Sequence, residues 1–151
     1  MKEENVIRLT KFLLDFMYFA GMVVTVSLPW SVKWIGTTFH YQPFKEQYHE
    51  VVLIYIVLGC LAVLIIGELR KMFRTVLAND SFVMANVVSL QRMGTYSFLI
   101  AVICFVRTIL YLTSAMVTLI LVFVIAGLFS KVLAFVFKQA IEYKEENDLT
   151  I

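Results

Sequence analysis

The chain has 151 residues, of which 61% are hydrophobic and only 16% are charged. Water-soluble domains are typically about 45–50% apolar and about 25% charged, so this composition excludes an ordinary soluble fold and favours a protein surrounded by lipid. The net charge of +2 is too small to indicate direct binding of nucleic acid.

Four apolar segments each approach the roughly 20 residues that a helix needs to cross a hydrocarbon layer of about 30 Å. We predict transmembrane helices over residues 9–28, 51–67, 93–112 and 115–137. The first two spans are joined by an outer loop (31–50), the second and third by a cytoplasmic loop (69–92), and the fourth is followed by a cytoplasmic tail (138–151). The sequence therefore predicts an all-α fold, an integral membrane four-helix transmembrane bundle forming a single membrane domain over residues 1–151.

The predicted loop between the second and third spans has helical character of its own. An Asn-Asp-Ser turn occupies residues 79–81, and after it Val83, Val87 and Leu90 recur at helical spacing. We therefore expect residues 84–91 to form a short amphipathic helix near the inner membrane surface.

The basic residues predict how the chain is oriented, because cytoplasmic segments of membrane proteins are enriched in lysine and arginine. Of the 13 lysines and arginines, the outer loop holds two, Lys33 and Lys45, and Arg107 lies inside the third span. The other ten flank the opposite ends of the spans: Lys2, Arg8, Lys11, Arg70, Lys71, Arg74, Arg92, Lys131, Lys138 and Lys144. We expect a multi-pass membrane protein with both termini in the cytoplasm.

Small residues are spaced so that they share one face of the third span and one face of the fourth. Close approach of helix backbones at such residues is a main source of helix association in lipid. We expect these faces to meet each other, or to meet the first two helices. The residues are Gly94, Ser97, Ala101, Cys104 and Thr108 in the third span, with Ala126, Ser130 and Ala134 in the fourth.

Charged residues within or beside the spans are the first functional candidates, because charge is costly in hydrocarbon. Asp15, Glu68 and Lys131 are expected at similar depth on the cytoplasmic side, where they would form an ion-paired cluster or be solvated separately at the interface. Arg107 lies near the outer end of its span, from which its long side chain can extend to the headgroups. These four residues are the candidate intramembrane polar cluster.

The motifs of catalysis and cofactor binding are missing from the sequence. It has no glycine-rich nucleotide loop and neither the zinc-protease nor the serine-hydrolase motif. His40 and His49 are poorly spaced for a metal site, and Cys60 and Cys104 lie in apolar runs, apart from any cysteine motif. We expect no enzymatic activity, no cofactor and no metal.

Two segments resemble the bacterial family of domain of unknown function 2975 (DUF2975), which consists of four-helix membrane proteins. The first is residues 79–94, reading NDSFVMANVVSLQRMG, and the second is the end of the chain, reading EENDLTI. The chain departs from the family pattern at Ser81, where proline is usual, and at Gln91, where a basic residue is usual.

The resemblance implies a regulatory role, because genes of this family commonly lie beside a gene for a small helix-turn-helix protein of the Cro/C1 type. The expected function is therefore to bind or sequester such a regulator through the cytoplasmic face. A small transporter, channel or immunity-type protein is the alternative, and a structural subunit of a larger complex is a third; an oligomer is compatible with each. The candidate partner-binding residues are Asp80, Phe82, Asn86, Arg92, Glu145, Glu146, Asp148 and Leu149.

Overall fold

A computed structural model describes residues 2–39, 47–78, 80–111 and 113–149, without the side chains of residues 2–4. Within this part of the chain four α-helices form: α1 (Lys2–Thr38), α2 (Tyr48–Leu77), α3 (Met84–Leu110) and α4 (Ser114–Leu149). All four are long and apolar enough to cross a membrane. The prediction of an all-α protein with four membrane-spanning helices is confirmed.

The helices are longer than a bilayer requires. They have 37, 30, 27 and 36 residues, so at about 1.5 Å per residue they are about 40–55 Å long, against about 30 Å of hydrocarbon. Residues 31–38 of the predicted outer loop belong to α1, whose helix continues through Pro29. Most of the predicted tail is helical as far as Leu149, whereas residues 40–46, 150 and 151 lie outside the described residues.

The predicted separate amphipathic helix at residues 84–91 is wrong, because these residues form the first turns of α3. Nothing between Gln91 and Gly94 breaks a helix, and a single glycine costs only about 1 kcal/mol in a helix interior. Val87, Leu90 and Gly94 are all buried, so the apolar face of the predicted short helix continues as the packing face of the long one.

The helices run antiparallel and pack in chain order. Among the described residues, close backbone contacts join α1 to α2, α2 to α3 and α3 to α4, and no other pair of helices. The helices therefore form an open row, with α1 resting on α2 alone. We call the side with Lys2, Leu77, Met84 and Leu149 the terminal end, and the side with Thr38, Tyr48, Leu110 and Ser114 the hairpin end.

Two hydrophobic cores stabilise the α2–α3–α4 part of the row. The first, towards the hairpin end, is built on Ile100, Cys104 and Met116 with apolar side chains of α2 and α4 around them. The second, at the terminal end, contains Val87, Leu90, Ala134 and Ile141, with Met72, Leu133 and Phe137 packed against it, and we call it the terminal core. Because α3 and α4 extend past the predicted spans at this end, the second core reaches beyond those spans.

The small residues of α3 and α4 allow these helices to approach closely. Gly94, Ser97, Ala101 and Cys104 are buried in α3. A methyl group added at Gly94 would lie 3.1 Å from the backbone oxygen of Gly127. The two helices therefore meet across the hairpin, which was one of the two arrangements expected from the sequence.

Candidate functional site

Glu68 is the buried carboxylate of the terminal end, with 5% of its surface exposed. Its Oε2 accepts a hydrogen bond of 2.7 Å from the hydroxyl of Ser89 on α3. Its Oε1 lies 2.7 Å from the ammonium nitrogen of Lys71, one turn later on α2, and 3.6 Å from a guanidinium nitrogen of Arg92. A buried carboxylate is tolerated when it is paired and hydrogen-bonded in this way, and here it joins α2 to α3.

Asp15 pairs with Arg70 rather than with Glu68 or Lys131. Its Oδ1 accepts a hydrogen bond of 2.5 Å from Nε of Arg70. The guanidinium carbon of Arg70 also lies 4.5 Å from the ring centre of Tyr18. This ion pair, with the tyrosine ring packed on the guanidinium, links α1 to α2 just beyond the end of the predicted second span.

Lys131 binds neutral oxygens of α3. Its ammonium nitrogen donates hydrogen bonds to the backbone oxygen of Gln91, at 2.9 Å, and to the hydroxyl of Thr95, at 3.0 Å. Its aliphatic part crosses Gly94, where an added methyl group would come within 3.0 Å of it. The lysine thus packs across the α3–α4 contact and hydrogen-bonds to α3 at the edge of the terminal core.

The structure therefore distributes the three predicted members of an ion-paired cluster over three separate sets of partners. The physical reason is the open row, since α4, which carries Lys131, makes no close backbone contact with α1 or α2 among the described residues. Arg70 and Lys71 satisfy Asp15 and Glu68 locally. No motif or spacing in the sequence pointed to Ser89, because its role depends on the pairing of α2 with α3.

The loop between α2 and α3 is held in place by hydrogen bonds from the side chain of Asn86. This residue is 2% exposed, and its side-chain nitrogen donates to the hydroxyl of Thr75 and to the backbone oxygen of Ser81, both at 2.7 Å. Asn86 is therefore a buried residue of the first turn of α3 that holds the loop in place, and it offers no surface for a partner. Phe82 is 49% exposed and packs on Phe137 of α4, with ring centres 5.1 Å apart.

The other predicted partner-binding residues lie on the surface of the terminal end. Asp80 and Arg92 are exposed around the loop. The acidic residues of the tail occupy the exposed last turns of α4, where Leu149 is 88% exposed. The terminal end thus carries both the exposed residues of this loop and the exposed last turns of α4.

Arg107 lies at the opposite, hairpin end and is buried, with 9% of its surface exposed. Its guanidinium carbon is 5.5 Å from the ring centre of Tyr55 on α2 and 6.0 Å from that of Tyr111. The hydroxyl of Tyr111 in turn accepts a hydrogen bond from Gln47. The four residues of the predicted intramembrane polar cluster are therefore divided between the two ends of the protein.

Metal binding finds no geometric support in the part of the chain that the structure describes, where no three histidine, cysteine or carboxylate side chains are close enough to share an ion. His40 lies outside that part.

These features define a small all-α protein whose helices are of the membrane-spanning type, with charged groups at their ends. The chain belongs to the family described as protein of unknown function (DUF2975), whose sequence model matches residues 12–151. The resemblance seen in the loop and tail motifs is thereby confirmed over nearly the whole chain.

No curated protein matches the chain. No solved structure matches it either.

Proposed function

We propose that the protein is a non-enzymatic regulatory membrane protein that binds a small cytoplasmic helix-turn-helix transcription regulator at its terminal end. The observation that carries this proposal is the exposed helical tail of α4. From Lys138 to Leu149 every residue is exposed except Ala140 and Ile141. A helix surface of this kind, extending past the membrane, is accessible to a soluble partner.

The charge of this tail suits a DNA-binding partner. Residues 138–149 contain two lysines and four acidic residues, Glu142, Glu145, Glu146 and Asp148, giving a net charge of −2. Proteins that bind DNA carry basic surfaces for the phosphates. An acidic helix attracts such a surface and competes with DNA for it.

The terminal core supports the proposal because it holds the tail in one orientation. Ala134 and Ile141 of α4 pack with Val87 and Leu90 of α3. A binding surface that is already rigid loses less conformational entropy when its partner binds. The neighbouring loop, fixed by Asn86, adds a second ordered segment to the same side.

The proposal includes the location of the protein in the bacterial inner membrane, with the terminal end in the cytoplasm. The support is the distribution of basic residues. At the terminal end Arg70, Lys71, Arg74 and Arg92 surround the loop, whereas the described part of the hairpin end offers Lys33 and the buried Arg107.

Binding of the purified full-length chain to a small helix-turn-helix protein of the Cro/C1 type tests the proposal, and a gene for such a protein beside this one would supply the partner. Neutralising the tail with Glu145→Gln, Glu146→Gln and Asp148→Asn is expected to weaken binding at least tenfold and to reduce its salt dependence. The matched control is Lys138→Gln with Lys144→Gln, which makes the tail more acidic and should preserve or strengthen binding. Equal binding by all three proteins would contradict a role for the tail.

The alternative, a transporter, channel or immunity-type protein acting through the interior, has less support. The core between α2, α3 and α4 is built on apolar side chains such as Ile100, Ile65 and Phe123. The charged residues lie at the two ends. A solute flux across vesicles containing the protein, lost in Arg107→Gln or Lys131→Met but kept in the tail variant, would favour this alternative.

A further inference from the structure

The part of the chain that the structure describes buries two charged side chains, Glu68 and Arg107. Glu68 has cationic partners in Lys71 and Arg92. Arg107 has no carboxylate within 4.0 Å among the described residues; its neighbours are the ring faces of Tyr55 and Tyr111. Within the described ranges Glu68 is therefore neutralised by cationic side chains, whereas Arg107 meets uncharged rings.

The two tyrosines orient the guanidinium but do not neutralise it. A cation over an aromatic face gains about 0.5–2 kcal/mol, depending on how far it is removed from water. The ring carries no net charge, so the cost of removing the cation from water is only partly offset. A counter-ion would complete the site.

The depth of Arg107 indicates where that counter-ion comes from. The residue lies three positions before Leu110, the last residue of α3, which corresponds to about 4.5 Å along the helix. The exposed Trp30 and Trp34 of α1 are also at the hairpin end, and such aromatic belts mark the headgroup level of a bilayer. Phosphate oxygens are the abundant anions at that level.

We propose that Arg107, held between Tyr55 and Tyr111, binds a phosphate group at the hairpin end, supplied by a phospholipid headgroup or by free phosphate. The planar guanidinium fork matches two oxygens of a phosphate, which a lysine ammonium does not. The phosphate neutralises the buried charge and links α2 and α3 to the leaflet. This site is independent of the partner proposed for the terminal end.

The test uses the full-length chain, stripped of lipid and held in a phosphate-free maltoside detergent. Phosphatidylglycerol, a phosphate-free glycolipid or inorganic phosphate is then added, and the rise in melting temperature is measured. We expect the wild-type chain to be stabilised by phosphatidylglycerol and not by the glycolipid. Arg107→Gln should weaken this binding roughly tenfold or more, as expected for loss of a charge-assisted hydrogen bond.

The controls separate the source of the phosphate from the role of the residue. Lys33→Gln removes an exposed cation from the same end and should leave the effect unchanged. Stabilisation by inorganic phosphate as well as by lipid assigns the site to free phosphate, and stabilisation by lipid alone assigns it to a headgroup. Equal lipid effects in wild type and Arg107→Gln would overturn the proposal, as would the same loss in Glu46→Gln or Glu50→Gln, which would place the counter-ion in the chain.

A second measurement covers the case in which Arg107→Gln does not fold. Native mass spectrometry of the wild-type chain and of Arg107→Lys, which keeps the charge but not the fork, counts the lipids that remain bound. We expect wild type to retain a phospholipid that Arg107→Lys retains several-fold less often. Equal retention, or retention of the phosphate-free glycolipid by wild type, contradicts the proposal.

Discussion

The hydroxyl of Ser89 donates a hydrogen bond of 2.7 Å to the buried carboxylate of Glu68, and this bond joins α3 to α2 at the terminal end. Both residues are 5% exposed. The bond lies at the level of the terminal core, because Ser89 falls between the core residues Val87 and Leu90 of α3, and it fixes how α3 sits on α2 at that level.

We predict that Ser89→Ala lowers the free energy of unfolding in detergent by about 1 kcal/mol, because the Glu68 carboxylate loses a buried donor. Glu68→Gln should cost more, because Lys71 and Arg92 then lose their anionic partner. The measurement is a double-mutant cycle of Ser89→Ala with Glu68→Ala, which removes the acceptor as glutamine would not, with an expected coupling energy of about 0.5–2 kcal/mol. Additive losses would show that the bond does not contribute.

Asn86 should determine the order of the loop between α2 and α3. We predict that Asn86→Ala destabilises the protein by about 1–3 kcal/mol, since Thr75 and Ser81 lose the same buried donor. Limited proteolysis should then cut within residues 78–83, where the wild-type chain resists. Asn147→Ala, an exposed change in the tail, is the matched control and should leave this segment protected.

Gly94 should be intolerant of even a methyl group. The added carbon of Gly94→Ala would lie 3.1 Å from the backbone oxygen of Gly127 and 3.0 Å from the Lys131 side chain. The lysine can move, but the helix backbone cannot without separating α3 from α4, so we expect a loss of about 1–3 kcal/mol in detergent unfolding. Gly67→Ala makes only an ordinary contact of 3.4 Å with Tyr18 and should be nearly neutral.

The orientation in the membrane is testable with single cysteines in a chain whose Cys60 and Cys104 are replaced by serine. We predict that a membrane-impermeant maleimide labels Lys33→Cys in intact cells, because the proposed topology puts the hairpin end outside the cytoplasm. Asn147→Cys should be labelled only after the cells are opened. Labelling of Asn147→Cys in intact cells would reverse the proposed topology.

The sequence predicted the number and type of helices because runs of about 20 apolar residues have few alternatives to spanning a bilayer. It did not predict how far each helix continues, since residues 84–93 favour a helix whether or not they join the next span. Its separate amphipathic helix was wrong for that reason.

The partners of the charged residues could not be predicted from the sequence. Hydropathy marks the depth of Asp15, Glu68 and Lys131, but their pairing depends on which helices are neighbours. In an open row α1 faces α2, so Asp15 meets Arg70. The burial of Arg107 likewise depends on Tyr55, a residue of α2 that only the packing of α2 on α3 brings near.

The continuity of α4 has a mechanical consequence. Its 36 residues make a single rod about 54 Å long, and the helix runs without interruption from the predicted span into the predicted tail. A protein that tilts the tail must therefore also rotate the intramembrane segment, and the fulcrum is the tight crossing of Gly127 with Gly94. Binding of a partner to the tail would in this way move the opposite end of α4 as the other arm of a lever.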